Sequence, residues 1–265
     1  MRLVRLTPVL LFVSLLLPAQ VSARAHHARP LIVALDPGHG GGGPDGTYTG
    51  AVDASGKLIE ANLTFAVATR AAKDLRAMGY TVYLTRKAAD LQANYPLRDL
   101  NHDGTIDQLD DYDARTLFAD RHHADVFVSI HFDAAEGVPD MHGTHGYYCP
   151  DRPFWRKNKR LATILTASVS HSLTTSGYSS PDLGIGTDVA DKVPQRFADY
   201  PWFFVLGPSW KKRITATAMP GALVESLFLT SPQDVAALHR PETIPAIARG
   251  YADGIRAYFG GKITH

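Results

Sequence analysis

The stretch Leu31-Ile32-Val33-Ala34-Leu35-Asp36-Pro37-Gly38-His39-Gly40-Gly41 constrains the fold more than any other part of the chain. A run of apolar residues containing β-branched Ile32 and Val33 reads as a strand buried on both faces. Asp-Pro-Gly then forces a tight turn, and the next side chain, His39, stands at the edge of a sheet. The flanking glycines leave room for a metal or a substrate to approach the backbone. Open α/β proteins place their chemistry at this edge. A strand-end histidine on its own is more often a turn residue than a ligand, so the question is whether the rest of the chain supplies partners.

Downstream, Leu63, Ala66, Val67, Ala71, Leu75 and Met78 recur at helical spacing up to Gly79, a good helix stop. Residues 81–85 follow as a strand, which completes a βαβ unit that crosses right-handed into a parallel sheet. Glu60 thus lies at the entry to the first helix, near the same sheet edge as His39. Residues 87–113 interrupt the rhythm with a polar, Asp-rich insertion. A helix over 114–123 precedes an apolar strand over 125–130 that ends in His131-Phe132-Asp133. Further elements are a strand at 144–148, an amphipathic helix over 155–173, a short strand at 203–206, and a strand from Pro220 that runs into Glu225. A helix over 244–259 closes the chain. Residues 174–202, rich in Gly, Pro, Ser and Asp, read as a loop or lid, and a regulatory protein partner that opens it stays an open alternative. The pattern predicts a single α/β domain over residues 30–262: a mostly parallel twisted sheet with helices on both faces and the site at the carboxyl ends of its strands.

Arg2 and Arg5 precede an apolar run at 9–17, and small residues with Ala23 or Ala25 before the cut follow it. Residues 1–25 therefore read as a secretory signal peptide, too short in its apolar core to span a membrane. Export to the periplasm or the extracellular space is expected, with no membrane span after cleavage. The single cysteine, Cys149, cannot form an internal disulfide, so the core or a bound metal must supply stability. A formal net charge of +1 argues against a nucleic-acid partner. The expected protein is a globular monomer.

His39, His131, Glu225 and Glu60 make a group suited to metal chemistry. Zinc hydrolases use three protein ligands of N or O type and keep a fourth position open. A carboxylate outside the ligand set then moves protons. Two histidines and one glutamate would bind the metal and the other glutamate would be the base; spacing alone does not say which is which. Glu60 is also ordinary for the first turn of a helix, where the dipole favours an acid. Glu225, ending an apolar strand, is harder to explain without a role, because a buried carboxylate needs partners. His142 and His145 read as solvated loop residues, and His122 and His123 as helix-end residues.

Leu35-Asp36-Pro37-Gly38-His39-Gly40-Gly41, Glu60, Ser129-Ile130-His131 and Leu223-Val224-Glu225 resemble, in order, the zinc-dependent N-acetylmuramoyl-L-alanine amidases of the amidase 3 type. Thr85-Arg86, Arg115 and Val205-Leu206 extend the resemblance. It implies His39, Glu60 and His131 as zinc ligands and Glu225 as the catalytic carboxylate. The implied reaction is hydrolysis of the amide between N-acetylmuramic acid and L-alanine in peptidoglycan. Asp133 departs from the family's usual asparagine, and Leu227 and Ser231 from its usual glycine and asparagine. These departures keep open a catalytically weak cell-wall-binding protein of the same fold; a zinc peptidase acting on the stem peptide is a separate rival.

Residues 99–110 carry a second metal pattern. As a loop of twelve they place oxygen side chains at positions 1, 3, 5, 9 and 12 and glycine at position 6. The spacing resembles the calcium loop of the EF-hand, and more closely that of dockerins, which also end in aspartate. Asp99, Asn101, Asp103, Thr105 through its carbonyl, Asp107 and Asp110 would hold a structural Ca2+, with Ile106 packing against the domain. A solvated acidic loop is the alternative.

Overall fold

The computed structural model describes residues 29–41, 48–189 and 200–260. The expected signal peptide lies outside the described residues. Eleven elements follow one another: β1 (Ile32–Pro37), α1 (Glu60–Ala77), β2 (Thr81–Leu84), α2 (Gln108–Arg121), β3 (Val126–Asp133), β4 (Thr144–Tyr148), α3 (Trp155–Thr175), β5 (Asp182–Thr187), β6 (Gly221–Phe228), α4 (Pro232–Leu238) and α5 (Thr243–Tyr258). The strands form one six-stranded sheet in the order β2-β1-β3-β6-β4-β5.

All neighbouring pairs are parallel except β4 with β6, which is antiparallel. The apolar run at the start of the described chain sits between β2 and β3, and Val33, Ala34 and Leu35 are fully buried. On one face α1, α3 and α5 pack over Val33, Leu35, Val128, Ile130 and Val224. α5 can approach α3 closely because Gly250 and Gly254 carry no side chain: a Cβ on Gly250 would lie 2.5 Å from the Cα of Val169. The opposite face holds Ala34, Phe127, Cys149 and Leu223 under α2 and the segment 202–206. Helices therefore cover both faces of a mostly parallel sheet, as expected. Among the described residues no helix is long and apolar enough to cross a membrane.

Four local expectations need correction. Residues 182–187, read as loop, form edge strand β5. Residues 203–206, read as strand, form a turn whose apolar side chains lie against the sheet. α4 was hidden by its shortness, although Ser231 caps it and Pro232 opens it. α2 begins at Gln108 rather than 114, because Asp107 and Asp110 form a reciprocal capping box.

Candidate metal centre and active site

Three parallel-strand ends and one helix start converge at the carboxyl edge of the sheet. His39 follows β1 with φ 59°, a left-handed conformation that turns its ring back over the strand ends. Glu60 is the first residue of α1, His131 lies near the end of β3, and Glu225 lies in β6 directly opposite His131. The ligand atoms of His39, Glu60 and His131 all lie within 4.8 Å of one another. Glu60 Oε1 is 3.1 Å from His39 Nε2 and 3.0 Å from His131 Nδ1, and it also accepts the backbone N–H of Phe132 at 3.0 Å. Glu60 Oε2 accepts the N–H of Ala51 at 2.8 Å. Burial alone would raise the Glu60 carboxyl, but the facing His39 and His131 rings outweigh it and hold the group well below its usual range. Burial keeps His131 below the ordinary histidine range, which favours the neutral ring that a metal requires.

A second layer fixes His39. Buried Asp36 accepts from Thr85 Oγ1 (2.6 Å), Ser129 Oγ (2.7 Å) and Arg115 Nη1 (2.8 Å). Arg115 also pairs with Asp111 at 2.6 Å and donates to the carbonyls of Pro37 and His39. Arg86 donates to the carbonyls of Pro37, Gly38 and Ala61, so it ties the turn after β1 to the first turn of α1. Thr85, Arg86 and Arg115 thus hold His39 and Glu60 in place from behind. Glycine is required twice here. A Cβ on Gly38 would run into the His131 ring; one on Gly50 would meet Glu60 Oε2 and lie 2.6 Å from the His39 ring.

Glu225 stands beside this group with a different character. Its Oε2 is buried and has no hydrogen-bond partner among the described residues. Burial, then the nearby Glu60 and Asp133 carboxylates, push its pKa well above the ordinary carboxylate range. A carboxyl that is easily protonated and has a free oxygen next to a metal position is suited to carrying a proton. A cleft of about 230 Å3 opens over His39, His131 and Glu225, walled by Tyr112, Trp202 and Phe203. Tyr147 packs on Phe203, and Trp202 donates to Asp151 at 2.7 Å.

His145 departs from its reading as a solvated loop residue. It lies on β4, directly opposite Glu225 in the antiparallel β4–β6 pair. His142 is half-buried in the preceding loop, and its Nδ1 has no hydrogen-bond partner among the described residues. His122 caps α2 as expected and stacks on Tyr83 at 3.8 Å. Asp133 faces His145; burial raises its carboxyl and His145 offsets part of that rise.

The loop 99–110 folds tightly without joining this site. Gly104 has φ 87°; Asp99 accepts the N–H groups of Asp103 and Gly104 at 3.1 and 2.9 Å, and Asn101 and Asp103 accept those of Asp103 and Thr105. Asp107 caps α2, and Asp110 accepts the N–H groups of Leu100, Asn101 and Asp107. Ile106 is 42% exposed and does not pack against the domain. Among the described residues the one group of His, Cys, Asp and Glu side chains converging on a possible metal position is His39, Glu60 and His131.

Comparison with known proteins adds the chemistry. The chain is 27% identical over 237 residues to the germination-specific N-acetylmuramoyl-L-alanine amidase of Bacillus subtilis, covering 87% of this chain and 81% of that protein. Its fold matches N-acetylmuramoyl-L-alanine amidase AmiC2 of Nostoc punctiforme with a TM-score of 0.62 at 26% identity, over 87% of this chain and 97% of that one. The catalytic domain of CwlV, an N-acetylmuramoyl-L-alanine amidase from Bacillus (Paenibacillus) polymyxa, matches with a TM-score of 0.60 at 25% identity, over 88% and 99%. The family model for N-acetylmuramoyl-L-alanine amidases matches residues 33–257, which include all four residues of the site. The chain belongs to the Amidase_3 family of N-acetylmuramoyl-L-alanine amidases.

Proposed function

We propose that the protein is an exported zinc hydrolase that cleaves the amide between the lactyl group of N-acetylmuramic acid and L-alanine in peptidoglycan. The observation that carries this reading is the placement of Glu225 one strand from His131, next to the convergent His39–Glu60–His131 group. The donor set fits zinc. Two imidazole nitrogens and one backbone N–H crowd a single Glu60 oxygen, and a cation between the side chains would replace two protons that must otherwise point at the same atom.

Zinc held by His39, Glu60 and His131 would supply Lewis-acid polarisation of the amide carbonyl and lower the pKa of a water molecule. Glu225 Oε2 takes a proton from the attacking water and returns it to the leaving nitrogen, which its raised pKa and lack of a competing partner allow. Arg86 and Arg115 keep His39 and Glu60 oriented through backbone carbonyls, so that little rearrangement accompanies the reaction. Trp202 and Phe203 wall the cleft with apolar rings that suit the ring face of a sugar.

The test is digestion of purified peptidoglycan by the wild type and by Glu225→Gln, with metal content and products read by mass spectrometry. Glycan strands freed of stem peptides, new L-alanine amino termini, one zinc in each protein and a loss of 10²–10⁴-fold in the variant are expected. Products that leave L-alanine on muramic acid would make it a peptidase; zinc without cleavage would make it a wall-binding protein.

The proposal includes a structural Ca2+ in the loop 99–110. Its support is that α2 starts at Gln108, position 10 of the loop, with glycine in a left-handed turn at position 6. Calcium at a hundredfold excess over its Kd would add about 2.7 kcal/mol. That corresponds to roughly 5–10 °C in Tm for a domain of this size. An unchanged Tm removes calcium from the reading.

A further inference from the structure

The sheet carries a row of three side chains across the active edge. In β3, β6 and β4, His131, Glu225 and His145 are direct cross-strand partners, and partners of this kind point to the same face. The other residues of β4 confirm the direction. A Cβ on Gly146 would meet Thr166 of α3, so the even positions face that helix and His145 and Tyr147 face the cleft side. The ring of His145 lies 4.5 Å from that of Tyr147, whose hydroxyl is pushed upward in pKa by burial, then by the Asp133 and Glu225 carboxylates. The β4–β5 register shifts beside His145, and Gly186, the partner of Tyr147, offers no side chain there: its missing Cβ would lie 3.6 Å from His145 Nε2.

This order matches the order of atoms in the substrate. The ligand group lies on the β1–β3 side, the proton carrier on β6, and His145 one strand further on. A scissile carbonyl at the ligand group with its nitrogen over Glu225 must continue towards β4. Directly paired residues of antiparallel strands lie about 4.5–5.5 Å apart. The first carbonyl oxygen beyond an amide nitrogen lies about 3–3.6 Å away through ordinary bonds. One strand step is therefore the right reach for a contact with that oxygen.

Resting on the amidase reading above, we propose that His145 is a substrate-contacting residue. Its ring N–H donates to the carbonyl oxygen of the amino acid whose amine is released and so holds the scissile amide in register over Glu225. The sequence reading offers no role for this histidine; the cross-strand pairing supplies one. Burial lowers the His145 pKa and Asp133 and Asp182 offset part of that, so the ring is favoured as neutral imidazole, which still carries one N–H to donate.

Two variants test this. His145→Phe keeps the ring and its packing on Tyr147 but has no donor; His145→Gln keeps a donor. With an N-acetylmuramoyl dipeptide as substrate, His145→Phe is expected to raise KM three- to tenfold with kcat nearly unchanged, and His145→Gln to stay within about threefold of wild type. With N-acetylmuramoyl ethylamide, which lacks the carbonyl, wild type and His145→Phe should have the same KM. Zinc content and Tm should be unchanged throughout. Equal KM for both proteins on the dipeptide, or an equal rise on the ethylamide, would overturn the assignment while leaving the amidase reading intact. A wild type that leaves intact peptidoglycan uncut would instead break the amidase reading itself.

Discussion

Asp188 provides a quantitative test that does not involve the metal. It follows β5, its side chain is fully buried, and among the described residues neither carboxylate oxygen has a hydrogen bond of ordinary geometry. The Cys149 thiol and the Phe203 N–H face it, and the Arg152 guanidinium feels its charge. Arg152 is already spent on the carbonyls of Leu206, Gly207 and Thr217. Burial, with Asp151 adding to it, pushes the Asp188 carboxyl up to about 7. An acid whose folded pKa is raised binds more protons in the native than in the unfolded chain, so it lowers stability as pH rises. The penalty is absent below about 4, grows between 4 and 7, and is complete above 7. A rise of about three units is worth about 4 kcal/mol at pH 8. Asp188→Asn removes the charge and leaves one unsatisfied amide, which returns about 1–3 kcal/mol of cost. The expected net gain at pH 8 is about 1–3 kcal/mol, or roughly 3–10 °C in Tm. At pH 5 only about 1.6 kcal/mol of the penalty has developed, which the cost of the amide cancels or outweighs, so the variant should melt no more than about 2 °C above the wild type. Thermal melts by circular dichroism at pH 5 and pH 8 decide it. An equal shift at both pH values, or a variant that melts lower at pH 8, would refute the reasoning.

Gly50→Ala should empty the metal site with little change elsewhere, because φ is 71° and the new Cβ would collide with Glu60 and the His39 ring. Zinc per chain by mass spectrometry should fall well below one while the far-ultraviolet spectrum is kept. Arg115→Met strands Asp36 and Asp111 as buried carboxylates and frees the His39 carbonyl. It should cost about 3–5 kcal/mol in a denaturant titration, and a loss under 1 kcal/mol would show the network to be dispensable. Gly250→Ala needs backbone movement between α5 and α3, and should cost about 1–3 kcal/mol without changing zinc content.

What the sequence concealed had local causes. β1 and β3 were legible because strands buried on both faces are apolar without interruption, and Glu225 was legible because a carboxylate in such a run needs an explanation. β5 was not, since Asp182–Thr187 is an edge strand with two glycines and mostly exposed side chains, so no alternation marks it. The converse error at 203–206 arose from side chains that are apolar for a tertiary reason: Tyr112 stacks on Phe204 at 4.9 Å, and Val205 and Leu206 fill the space beside Phe127 and Leu223. His145 failed to show for a third reason. In Thr144-His145-Gly146-Tyr147-Tyr148 the small, polar-looking Thr144 and Gly146 face α3 because the helix lies too close for anything larger, so polarity along β4 no longer separates core from solvent. Once the register with β6 is known, the same five residues place an imidazole beside the Glu225 carboxyl. Pairing across strands, which no local pattern encodes, therefore decides which histidines near this site take part in its chemistry.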